Sequence, residues 1–108
     1  MSSKIFLLAR QIRENQNDSF LKFALALELL KTGDEHKAQQ LFEHIAKTDP
    51  NYVGVYYHLG ALYTRLGKNK KAKSTYNKGI EVARLLRDEH ARNELLAALS
   101  TLEFEQEE

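Results

Sequence analysis

Apolar residues recur at helical spacing along most of this chain, in stretches separated by short polar breaks. Phe20, Phe23, Ala24, Leu27 and Leu30 form one stripe, and Leu21, Leu25 and Leu29 form a second. Lys31-Thr32-Gly33-Asp34 interrupts them. Gly33 can take the left-handed conformation that closes a helix, and Asp34 offers an acceptor to the free N–H groups of the next one. Ala38, Leu41, Phe42 and Ile45 then predict a second helix, which Asp49-Pro50-Asn51 ends because proline cannot continue the ladder. The order replays with Tyr56, Leu59, Gly60, Leu62 and Tyr63, a turn at Leu66-Gly67-Lys68-Asn69, and Ala72, Tyr76, Gly79, Ile80 and Ala83. Asp88 can cap a last helix from about Glu89 to Glu105, with Leu95, Leu96, Leu99 and Leu102 as its apolar stripe.

The replay has a period of 34 residues: Leu25 falls on Leu59, Gly33 on Gly67, Lys37 on Lys71 and Ala38 on Ala72. Ala26 on Gly60, Leu29 on Tyr63, Lys31 on Arg65 and Phe42 on Tyr76 keep size or charge in the same frame. A period of this length means stacked helix pairs. Ile5, Ala9 and Ile12 lie 33 residues before Ala38, Phe42 and Ile45, so the chain opens on what reads as the second helix of a truncated unit. The expected organisation is one all-α domain of six helices. It has a leading helix over 4–15, repeat one over 19–52, repeat two over 53–86 and a capping helix over 88–105. Gly60 and Gly79 lie inside helices, at about 1 kcal/mol each relative to alanine. Close approach of a neighbouring helix is the expected reason.

Composition excludes several classes. At 43% hydrophobic and 29% charged residues the chain is neither disordered nor membrane-embedded, and no apolar run approaches a membrane span. The first ten residues do not read as a signal peptide. Cysteine is absent, so disulfides and thiolate metal sites are excluded, and a cytoplasmic location fits. The histidines His36, His44, His58 and His90 form no His-x-x-x-His pair, and no serine or carboxylate pair has a catalytic setting. The Gly60 to Gly67-Lys68 spacing is too long for a phosphate loop, and Asn69 replaces its hydroxyl residue. No enzyme, metal or cofactor is expected. Net charge is +1, unevenly placed: no acid lies between Asp49 and Glu81, and no base follows Arg92. Lys68, Lys70, Lys71 and Lys73 make a basic patch beside Arg65. Nucleic acid or an acidic protein partner is the alternative function that this patch suggests.

Residues 19 to 86 resemble the tetratricopeptide repeat. Leu59-Gly60 followed by Tyr63 matches that family's core, Tyr56 takes the place of its usual tryptophan, and Gly67, Ala72 and Tyr76 match its turn, small and aromatic positions. In the first unit Leu25, Ala26, Leu29, Gly33, Ala38, Phe42 and Pro50 fall on the same series. The departures are Lys22 at the tryptophan position and Arg84 where proline is usual, which suggests a helix running on to about Leu86. The resemblance implies a right-handed α-α superhelix whose first helices line a concave groove. By position that groove would present Phe20, Phe23, Ala24, Leu27 and Lys31 from unit one, and Tyr57, His58, Ala61, Thr64 and Arg65 from unit two. The set with which some members grip the carboxylate of chaperone tails falls on Phe23, Leu27, His58, Asp88 and Arg92, and four of these five do not fit it. The expected function is a non-catalytic scaffold that binds a protein partner, as a peptide or amphipathic helix in the groove. A homodimer burying Phe20, Phe23, Leu27 and Tyr57 is the other expected use of those side chains.

Overall fold

The computed structural model describes residues 3–107. They form helices α1 (Ser3–Glu14), α2 (Ser19–Lys31), α3 (Glu35–Thr48), α4 (Gly54–Arg65), α5 (Asn69–Leu86) and α6 (Glu89–Glu107), with no strand among the described residues. No helix among them is long and apolar enough to cross a membrane. The helices fall into two compact units, Met1–Asp49 and Pro50–Glu108.

Within the units the turns repeat one solution. The Asp34, Lys68 and Asp88 N–H groups each donate to the carbonyl five residues back, on Leu29, Tyr63 and Ala83, at 2.8, 2.8 and 2.9 Å. This bond satisfies a carbonyl that the helix end would leave orphaned, and it needs a left-handed residue just before it. Gly33 (φ 86°) and Gly67 (φ 77°) supply that residue in the first two turns. In the third it is Arg87 (φ 59°), so α5 does continue to Leu86. Aspartates open three of the helices: the carboxylates of Asp18, Asp34 and Asp88 accept from the N–H groups of Leu21, Lys37 and Ala91. Each such cap is worth about 1 kcal/mol.

In the first unit, α2 packs between α1 and α3. Its buried centre is Ala26, Ala38, Phe42 and Ile45. Removing Phe42 and Ile45 from water contributes about 1.5–3 kcal/mol each. The Phe23 ring lies 5.8 Å from that of Phe42, so a side chain expected to face the groove in part completes the helix-pair core. The Ser19 hydroxyl donates to Asp49 at 2.7 Å, tying the start of α2 to the end of α3.

In the second unit α4, α5 and α6 all touch one another. Leu59, Leu62, Tyr63, Ala72, Tyr76, Val82, Ala83, Leu95 and Leu102 are its buried apolar positions, beside Val55 and Tyr56. The two helical glycines explain how the helices come this close. A Cβ on Gly60 would collide with the Tyr76 ring, 2.6 Å from Cδ1 and nearer still to Cε1. One on Gly79 would lie 2.5 Å from the Tyr56 Cβ and 3.0 Å from a Leu95 methyl. The Tyr56 hydroxyl donates to the Pro50 carbonyl at 2.6 Å and anchors the segment leading into α4.

Candidate functional site

The second unit carries an open groove of about 470 Å³ between α4 and α6. Tyr57, Ala61 and Thr64 form its α4 wall. They are spaced four and three apart, so one helix face presents all three. Tyr76 from α5 reaches its floor. The α6 wall is built from Ala97, Ala98, Thr101 and Leu102, with Glu94 and Glu105 towards its two ends. Small side chains at Ala61, Ala97 and Ala98 keep the groove open.

Burial and hydrogen bonding fix the polar atoms around it. The Thr64 hydroxyl donates to the Gly60 carbonyl at 2.9 Å. Burial pushes the Tyr76 phenol above the usual tyrosine range, the Thr64 hydroxyl bonded to it opposes that rise, and nearby Tyr57 adds to it. The His58 ring stands edge-on to Tyr57 with centroids 5.7 Å apart. Burial pulls His58 below the ordinary histidine value of 6.5, against the pull of the Glu94 carboxylate. Burial therefore favours the uncharged ring. Glu94 also meets His90 at 3.4 Å, one helical turn away on α6. Among the described residues no group of three or more His, Cys, Asp or Glu side chains is arranged to hold a metal ion.

Of the groove residues expected in this unit, Tyr57, Ala61 and Thr64 come together in the lining. His58 and Arg65 are outside it: His58 is half-buried beside Tyr57, and Arg65 is exposed at the end of α4. In the first unit Phe20 is 65% exposed, Phe23 and Leu27 are half-buried, and Lys31 is exposed at the end of α2. The sequence pattern marks α6 as a capping helix, and the structure adds that it forms a wall of the groove. Its signal was present in Glu94, Ala97, Ala98, Thr101 and Glu105, small residues between two acids on one helical face. The four lysines of the basic patch are exposed. Lys71 and Lys73 have intramolecular uses. Lys71 Nζ sits 5.7 Å from the centre of the Tyr63 ring, and Lys73 pairs with Glu103 at 3.4 Å.

Comparison with known proteins gives this architecture a family. The family model of the tetratricopeptide repeat matches residues 29–100. No curated protein matches the chain. Among solved structures, the chain is similar to a tetratricopeptide repeat domain protein from Salinibacter ruber, with 46% identity over 81% of this chain and 88% of that one, at a TM-score of 0.78. It is similar in fold to PcrH in complex with the chaperone binding region of PopD, with 16% identity, coverage of 94% and 77%, and a TM-score of 0.85. The type III secretion translocator chaperone SycD of Yersinia enterocolitica gives 13% identity, coverage of 96% and 72%, and a TM-score of 0.85. Both the fold and the sequence match thus lead to one assignment: the chain belongs to the tetratricopeptide repeat family.

Proposed function

We propose that this chain is a non-catalytic protein-interaction module that holds a segment of a protein partner in the groove between α4 and α6. The observation that carries this reading is the groove itself. Tyr57 is 40% exposed on one wall, facing a wall of alanines and a threonine, with peptide-sized space between them. An exposed aromatic ring opposite small residues gives an entering side chain a flat apolar surface at little entropic cost. The structural neighbours PcrH, solved with a region of PopD, and the chaperone SycD support a protein as the partner class. Capture from a lysate of the source cell, using wild type and a Tyr57→Ala, Ala97→Arg double variant as baits, tests the reading. Both substitutions are at exposed positions, and circular dichroism checks that the variant is folded. A partner held by wild type and lost by the folded variant is the expected result. Equal capture by both baits would remove the groove from the function.

Self-association is the second reading, and a separate observation supports it. Phe6, Leu7 and Phe20 of the first unit are 58%, 55% and 65% exposed. Burying these side chains between copies would recover hydrophobic free energy that each copy leaves in water. Sedimentation equilibrium should then show a concentration-dependent dimer that Phe20→Glu disperses. A wild-type monomer at every accessible concentration rules this reading out.

A further inference from the structure

We infer that the occupant of the α4–α6 groove is a basic segment bound in extended form, with lysine or arginine side chains about five residues apart. The inference rests on the groove reading above and adds the chemistry of the partner. The residues lining the groove include two carboxylates, Glu94 and Glu105, and no lysine, arginine or histidine. Glu105 is exposed and pairs with no cation among the described residues. It also stands in the last turns of α6, a helix with no base in its final turn. The partial negative charge of that helix end therefore adds to the carboxylate instead of being offset. Glu94 has His90 at 3.4 Å on its own helix, and Lys73 goes to Glu103, which is outside the lining. A cation entering the groove meets two acids and a helix C-terminus, and an anion meets the same field with the opposite sign.

Spacing sets the register of the bases along an extended segment. Glu94 and Glu105 are eleven residues apart on one helix, about 16 Å along its axis. An extended chain advances about 3.3 Å per residue, so bases five residues apart match the two acids. Apolar residues between the two bases would lie against Tyr57 and the Ala97–Ala98 wall, and the alkyl stems of the bases would follow the same surface.

The test is an NMR titration of the full chain with three acetylated, amidated hexapeptides: Lys-Leu-Ala-Leu-Ala-Lys and its counterparts with glutamine or glutamate at both ends. The lysine peptide should shift the amides of Ala97, Ala98 and Thr101 saturably. It should bind about three- to tenfold tighter than the glutamine peptide, as two solvent-exposed ion pairs allow. The glutamate peptide should bind more weakly than either. Raising salt from about 0.05 M to 0.5 M should remove most of the lysine peptide's advantage. Glu94→Gln, Glu105→Gln, with unchanged circular dichroism, should remove it as well. Equal binding of the lysine and glutamine peptides in the groove overturns the charge inference and leaves the groove reading standing. If no peptide shifts the α6 amides, the inference fails together with the groove reading for extended peptides. Shifts from the lysine peptide confined to other acidic surfaces also overturn it.

Discussion

Two glycines decide how closely the second unit can pack. In an exposed helix, replacing glycine by alanine stabilises by about 1 kcal/mol, because alanine loses less backbone entropy on folding. At Gly79 the new Cβ would lie 2.5 Å from the Tyr56 Cβ, an atom rigidly attached to the backbone of α4. Side-chain rotation cannot relieve that contact, so the helices themselves must separate. Overpacking of this kind costs about 1–3 kcal/mol. At Gly60 the obstacle is the Tyr76 ring, which is 4% exposed and has little room to turn. Gly79→Ala should therefore lower the unfolding free energy by a net ~0–2 kcal/mol. Gly60→Ala should also destabilise, and should displace the tyrosine at the groove floor. Urea denaturation measures both; a Gly79→Ala protein about 1 kcal/mol more stable than wild type, the gain of an exposed helix, would mean that the close approach carries no energetic weight.

At the scale of the elements, local chemistry was legible and facing was less so. Aspartates before helices and glycines after them announce their caps, because those residue types satisfy orphan backbone groups that others cannot. Asp34, Asp88, Gly33 and Gly67 accordingly sit where the sequence reading puts them. The left-handed Arg87 carried no such announcement: its conformation is imposed by where α5 must stop, and arginine has no preference for it. An apolar stripe likewise states that a face is covered without naming what covers it. Phe23 and Leu27 share a face of α2, yet Phe23 spends part of its surface on Phe42. In α6 the leucine stripe was read correctly for Leu95 and Leu102, which are buried, while Leu96 stays 39% exposed. The groove-facing side of the same helix went unread because alanines and a threonine carry almost no hydropathy signal. Only the pairing of those small residues with the tyrosine on α4 makes them a wall, and that pairing is tertiary.

Across the whole molecule, burial differs from helix to helix, and stability should differ with it. In a repeat protein each helix draws its stability from its immediate neighbours, so a helix with little buried surface opens without unfolding the rest. Helix α1 has no buried residue among those described and is held to α2 by half-buried Ile5, Leu8, Ala9 and Ile12. Its ion pair, Lys4 to Glu28, spans 3.7 Å from a lysine side chain that is 66% exposed. Such a pair adds about 0–1 kcal/mol, too little to offset the missing core contacts. Helix α5 is the opposite case, with Ala72, Tyr76, Gly79, Val82 and Ala83 all buried and both α4 and α6 against it. Native-state hydrogen exchange should resolve this contrast. Amides in the middle of α1 should exchange through local opening at least about 100-fold faster than those around Gly79, a difference of about 2.7 kcal/mol. Added urea should accelerate the α5 amides and leave the α1 amides nearly unchanged, because a local opening exposes little new surface. Equal protection and equal urea sensitivity in the two helices would show instead that α1 opens only when the whole chain unfolds, and the local-opening account would then be wrong.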